Sequence, residues 1–182
     1  MSQIHVLILP SNYPRSQNDI SVSFFREQAI ALTHQNLKVG IIHIKLISLL
    51  KIFDIKLFPK ITYEDDHGIS TYRIIYTKWI VFSEFFKIKL IKYLGLIYFK
   101  KYIKTNAKPD IIHCHNFNYA GYIAEGIFDK YKIPFVITEH DSRFFTNDSV
   151  FNLSAIARIA KKSSLCLAVS SKFSKLLGNK IP

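Results

Sequence analysis

Short apolar runs bounded by polar or proline-containing stretches recur along the chain, and between them apolar side chains return at helical spacing. The clearest unit spans 109–140, PDIIHCHNFNYAGYIAEGIFDKYKIPFVITEH. Asp110–His115 and Phe135–Thr138 read as buried strands, introduced by Pro109 and Pro134. From Tyr119 to Tyr131 the apolar positions Ile123, Ile127 and Tyr131, with Ala120, Ala124 and Phe128 beside them, predict a helix. Glu125, Asp129 and Lys130 mark its opposite, charged face. Strand, helix and strand within about 30 residues form a βαβ unit, which requires parallel strands and a right-handed crossover.

The same reading extends in both directions. Ile4–Leu9 is a first strand, followed by the polar loop 10–20 and a helix from Phe24 to about Gln35, capped by Ser21 or Ser23. Asn36 fits the position just past a helix end, and Lys38–His43 is the next strand. Leu46–Phe58 predicts a short helix or an irregular surface segment. Ile61–Glu64 and Ile69–Ile75 flank Asp65-Asp66-His67-Gly68, a hairpin turn signature. A long helix is expected over Ser83–Thr105, another over Asn152–Lys162, a buried strand at 165–169, and a last helix from Ser171 stopped at Leu177 by Gly178.

A chain of 182 residues in this order suits one α/β domain with an open parallel sheet and helices on both faces. Hydrophobic residues make up 49% and charged residues 21%, so disorder is excluded. Cys114 and Cys166 each fall in a predicted buried strand, so the sequence implies no disulfide framework and favours a reducing cytoplasm. The apolar run at the N-terminus lacks a basic flank and a small-residue cleavage site, and no uncharged apolar stretch of about 18 residues exists to span a membrane.

The formal charge of +12 attracts phosphate-bearing partners. No zinc-finger spacing, RNP-like motif or arginine-rich arm accompanies it, so no nucleic acid is expected. On the long helix, Ile88, Ile91, Leu94, Tyr98 and Tyr102 form the arc that docks on the sheet. The other arc carries Lys89, Lys92, Lys100 and Lys104, with Tyr93 and Leu96 among them. That mixture suits an anionic bilayer at the inner face of the plasma membrane, or cover by the core or a partner domain.

Chemistry concentrates at the strand ends. His115 and Asn116 end one strand, Glu139 and His140 the other, and in an open parallel sheet ligands bind outside the carboxyl ends. His140 offers an imidazole to a hydroxyl or a developing charge, and Arg143 can meet a phosphate. His113-Cys114-His115 has a metal-like composition, but strand alternation sends the cysteine to the opposite face. No Gly-rich phosphate loop is present.

Four segments in order, SNYPRSQNDISVSFFREQAIALTHQNLKVGII, PDIIHCHNFNYAGYIAEG, PFVITEH and CLAVSS, resemble the N-terminal domain of GT-B glycosyltransferases of family 4. The resemblance implies a Rossmann-like acceptor-side domain facing a second, nucleotide-sugar-binding domain, and retaining glycosyl transfer without metal or other cofactor. It places His140 near the donor sugar and the reacting centre. Tyr13, Asn18 and Ser21 belong to the loop under the donor diphosphate, and His115, Asn116 and Tyr119 to the acceptor side, with Glu139 and Arg143 nearby. The expected partners are a nucleotide-sugar, a glycan or lipid-linked acceptor of cell-surface polysaccharide or glycolipid synthesis, and a donor domain supplied in cis or in trans. The alternative is a catalytically inactive half-domain that docks on a membrane or recruits a partner. Where relatives carry glycine before the paired aromatics, this chain has Val22, a residue that resists positive φ. The family's C-terminal domain, with its paired glutamates, is not among these residues.

Overall fold

The computed structural model describes residues 3–48, 60–78, 83–141, 143 and 152–181. In chain order the elements are β1 (His5–Leu9), α1 (Phe24–His34), β2 (Lys38–Ser48), β3 (Lys60–Asp65), β4 (Ser70–Lys78) and α2 (Glu84–Asn106). Then come β5 (Ile111–His115), a kinked turn (Phe117–Gly121) with non-helical backbone at Asn118 and Tyr119, α3 (Tyr122–Tyr131), β6 (Phe135–Glu139), α4 (Leu153–Lys162), β7 (Leu165–Ala168) and α5 (Ser171–Lys180).

The strands form one seven-stranded sheet in the order β3-β4-β2-β1-β5-β6-β7, parallel except for β3. From β1 the chain steps outward to β2 and β4 on one side, then returns to β5 beside β1 and proceeds through β6 to β7 on the other. The direction therefore reverses between β1 and β5, and a crevice opens at the carboxyl ends of those two strands.

Strand alternation divides the core between the two faces. Val6, Ile8, Val39 and Ile41 pack with Phe25 and Ala29 of α1. Leu7, Leu9, Ile42, Ile74, Ile112, Cys114 and Ile137 pack with α2, α3, α4 and α5 on the other face. The expected arc of α2 does the docking, with Ile91, Leu94, Tyr98 and Tyr102 buried.

Local signals account for the ends of several elements. After α1, Asn36 adopts φ 59°, its N–H donates to the Thr33 carbonyl, and the Leu37 N–H reaches Leu32 O at 3.4 Å. This is the paired closure that a left-handed residue just past a helix permits. His67 and Gly68 both have positive φ (58° and 81°), as the two-residue turn of a right-twisted hairpin requires.

Other expectations are corrected. Ser23 precedes α1, but its hydroxyl donates to Glu27 at 2.5 Å and caps no backbone amide. β2 runs on through Leu46 to Ser48, because β4 offers it a partner through Lys78; residues 49–58 of the expected surface segment lie outside the described residues. Gly178 does not stop the last helix, which continues to Lys180. β7 is an edge strand and is exposed, so Cys166 is at the surface while Cys114 is buried.

Glu125, expected on the solvated face of α3, is buried. Arg158 of α4 donates to it at 2.7 Å and Lys92 of α2 at 3.1 Å, with Lys162 at 3.3 Å. Burial alone would raise the carboxyl, but these partners bring it down to about 2. It ties three helices together on one side of the sheet.

Candidate active site

The loop that follows β1 contains no glycine, and its shape is imposed from outside by two arginines. Arg26 of α1 donates to the carbonyls of Ser16, Gln17 and Asp19 at 2.6, 3.0 and 3.1 Å. Arg73 of β4 donates to the Pro14 carbonyl at 2.6 Å. Both guanidiniums converge on Oδ2 of Asp66 in the hairpin turn, and Arg73 also meets Glu64. The Tyr13 ring lies against both cations, at 5.9 Å from Arg26 and 5.1 Å from Arg73.

Loop geometry separates the three loop residues predicted to contact substrate. Tyr13 is buried and lines a cavity of about 150 Å³ with His43 and Arg73, apart from the strand-end histidines. Burial, and then Asp66, push its phenol well above the usual range. Asn18 and Ser21 remain exposed, the Ser21 hydroxyl donating to Asp19 at 2.6 Å.

The loop ends at Val22, held at φ 51°. A left-handed L-residue costs about 1–2 kcal/mol, and glycine returns part of that through unfolded-state entropy. Val22 is exposed, so little burial is lost on truncation. Val22→Gly is expected to stabilise the fold by about 0.5–1 kcal/mol, read as a higher urea midpoint at unchanged slope. A lower midpoint would show that the valine is not strained.

At the carboxyl edge of β5 and β6 the structure brings His115, Asn116, Tyr119, Glu139, His140 and Arg143 together, on both sides of the sheet. On the α1 side lies an aromatic cluster. His115 contacts Phe25 (4.9 Å between centroids), His113 (4.4 Å) and His140 (5.8 Å), and Phe24 and Phe25 also flank His140. His115 has no exposed surface, and among the described residues neither of its ring nitrogens has a hydrogen-bond partner; Nε2 of His140 is likewise unpartnered. Burial, and then the neighbouring imidazoles, hold His115 at about 3; burial lowers His140, opposed by Asp141. Both rings are neutral near pH 7, able to donate from one nitrogen and accept at the other.

On the α2 side of the same edge is a cavity of about 200 Å³ lined by Leu9, Ser11, Asn116, Asn118, Tyr119 and Arg143, among others. It occupies the crevice between β1 and β5. Asn116 belongs to both sides: it lines the cavity, and its Oδ1 accepts the His140 N–H at 3.4 Å.

Two pocket residues have left-handed backbones, Asn116 at φ 74° and Tyr119 at φ 54°. Such strain persists where surrounding contacts over-determine it. Beside Asn116 the contacts come from Glu139, predicted as a ligand of substrate. It is buried, and its carboxylate accepts the N–H groups of Phe117 (2.8 Å), His140 (2.9 Å) and Asp141 (2.7 Å). Both oxygens are thus committed to the backbone, and Glu139 positions the loops after β5 and β6. Burial raises its carboxyl, against those three hydrogen bonds.

Arg143 forms a two-oxygen contact with Asp141 at 2.9 and 3.0 Å. Tyr119 donates to Glu84, at the start of α2, at 3.2 Å, and burial followed by Glu84 pushes its phenol up to about 12. Among the described residues, no group of three or more His, Cys, Asp or Glu has the geometry to hold a metal ion. No described helix is long and apolar enough to cross a membrane.

Sequence reasoning missed Arg26, Arg73, Asp66, Phe24, Phe25 and Glu84. The FFRE run was a usable signal for the first helix, since paired aromatics followed by arginine at a helix start can face a strand edge. Arg73 and Glu84 carried none.

Residues 54–182 match the sequence model of a family described as Glycosyltransferase Family 4. No curated protein matches the chain. Among solved structures it is similar to the catalytic domain of starch synthase IV from Arabidopsis thaliana bound to ADP and acarbose, with TM-score 0.53 and 18% identity over 76% of this chain and 34% of that one. It is also similar to the α,α-trehalose 6-phosphate synthase of Burkholderia multivorans (TM-score 0.56, 11% identity, 100% of this chain and 43% of that one). Arabidopsis thaliana UGT89C1 complexed with UDP gives TM-score 0.55 and 11% identity, over 99% of this chain and 46% of that one. These likenesses establish a Rossmann-like α/β fold of the kind found in GT-B glycosyltransferases, and the chain spans less than half the length of each.

Proposed function

We propose, on the premise that the chain belongs to glycosyltransferase family 4, that it is the acceptor-binding half of a retaining, nucleotide-sugar-dependent glycosyltransferase. The observation that carries this reading is the two-sided strand edge: on the α1 side neutral imidazoles whose nitrogens, both of His115 and Nε2 of His140, have no hydrogen-bond partner among the described residues, a polar-rimmed cavity on the α2 side, and Asn116 joining them. A glycosyl transfer needs such a boundary, because a donor sugar and an acceptor hydroxyl must approach one point from different directions.

In this reading the cavity at the β1/β5 crevice takes the acceptor, with Asn116, Asn118 and Ser11 as hydrogen-bonding groups and Arg143 at the rim. His140 faces the donor sugar and bonds one of its hydroxyls, its neutral ring adding no charge that the transfer must displace. Glu139 fixes the backbone of His140, so the imidazole is held before substrate arrives. The donor diphosphate lies over the exposed loop around Asn18 and Ser21, and the nucleotide is held by a second domain, in cis or in trans. No metal or other cofactor takes part, and the product belongs to cell-surface polysaccharide or glycolipid synthesis.

His140→Ala in the native gene product is expected to lower glycosyl transfer by about 10²–10⁴-fold, the range for one positioned catalytic side chain, with an unchanged circular dichroism spectrum. Wild-type transfer by that variant would overturn the role given to His140.

A further inference from the structure

We propose that the exposed arc of α2 docks the protein on an anionic lipid bilayer, aromatic end first. At 100° per residue, positions 85, 86, 89, 93, 100 and 104 fall within one arc of about 100°. All six are exposed, Phe85 by 60% and Tyr93 by 63%. The arc carries three aromatic rings and three lysines and no carboxylate, in a chain of formal charge +12. Lys89 lies 4.3 Å over the Phe85 ring, so ammonium and aromatic groups present one mixed surface.

One lysine-face residue singled out by sequence does not belong to it: Lys92 turns to Glu125 at 3.1 Å and Asp129 at 3.9 Å. Leu96 falls inside the arc, about 20° from Phe85, but is half-buried against the core and adds little to the exposed stripe. What remains is a stripe of rings that enter the headgroup boundary and ammonium groups that meet lipid phosphates.

Phe85 and Phe86 occupy the first turn of α2 and Tyr93 the third, so the ring-bearing end of the arc enters the headgroup boundary first. At 100° per residue Glu84, which accepts the hydroxyl of Tyr119, lies about 150° from the middle of the arc, on the side of α2 that meets the fold.

The test is flotation of the native gene product with phosphatidylglycerol-containing vesicles and with pure phosphatidylcholine vesicles, at low and high salt. Binding to the anionic vesicles that salt weakens is expected, with little binding to the neutral ones. Phe85→Ser/Tyr93→Ser and Lys89→Glu/Lys100→Glu are each expected to lower partitioning by about tenfold or more, with the fold retained by circular dichroism. His140→Ala is expected to float like the native protein, so a failure of the catalytic reading leaves this result standing. Absence of native binding, equal binding to neutral vesicles, or unchanged binding by both double variants would overturn the proposal, including in favour of a protein partner on this arc.

Discussion

Asp66→Ala is expected to destabilise the fold by about 3–5 kcal/mol, the cost of leaving buried charge without its partner. The Asp66 side chain has no exposed surface, and the two guanidiniums that share its Oδ2, those of Arg26 and Arg73, are nearly as buried. Glu64 still reaches Arg73 in the variant, but nothing else acidic reaches Arg26 among the ion pairs of the described residues. The same two arginines hold the carbonyls of residues 14–19, so the loop should loosen with the core. Urea denaturation reads the first effect, and faster tryptic cleavage after the exposed Arg15 reads the second. A loss below about 1 kcal/mol would mean that the aspartate is not what pairs the arginines.

Lowering the pH from 7 to 5 should cost about 3–4 kcal/mol of stability. His115 and His43 are both buried, and burial holds each at about 3, with neighbouring histidines helping at the first and Lys45 and Arg73 at the second. Their unfolded values lie near 6.5. Below that pH the unfolded chain takes up protons that the folded chain refuses, so the stability they contribute is complete above 6.5 and falls as pH drops toward 3. Each accounts for about 2 kcal/mol at pH 5. Glu139, raised by burial, works in the opposite sense, while His5, His113 and His140, lowered by burial, work in the same sense as His115 and His43. Glu125 keeps its contribution until the pH falls below about 4.5 and stays outside this window. His43→Phe should flatten the pH dependence, and a flat profile in the unmodified protein would show that these imidazoles are not buried as neutral rings.

Most of the architecture was legible because it rests on local periodicity. The 109–140 unit, the hairpin turn and the docking arc of α2 all follow from spacings of two or of three to four residues. The errors have physical causes that spacing does not encode. β7 has an apolar strand pattern, but at the edge of the sheet that pattern does not produce burial. Glu125 is charged, which marks a solvated face unless other helices bring Lys92 and Arg158 to it from 33 residues away on either side.

The site divides in the same way. His115, Asn116, His140 and Arg143 were visible as polar residues at strand ends, and the structure places them at one edge. Glu139 and Tyr13 were visible too, but their side chains face backbone amides and arginines, contacts that depend on the folded loops. Val22 was legible only in part: the sequence marked a β-branched residue that resists positive φ where glycine was expected, and the fold nevertheless holds it at φ 51°.

The central claim is that the cavity between β1 and β5 receives the acceptor. Ser11 lines that cavity and is exposed, so Ser11→Trp fills much of its 200 Å³ without disturbing the core. The direct measurement is transfer of labelled sugar from nucleotide-sugars to host envelope acceptor by the native gene product, with and without this substitution. The account predicts a loss of about tenfold or more at limiting acceptor with an unchanged donor KM. Unchanged transfer at limiting acceptor, with the indole in the cavity, would contradict it.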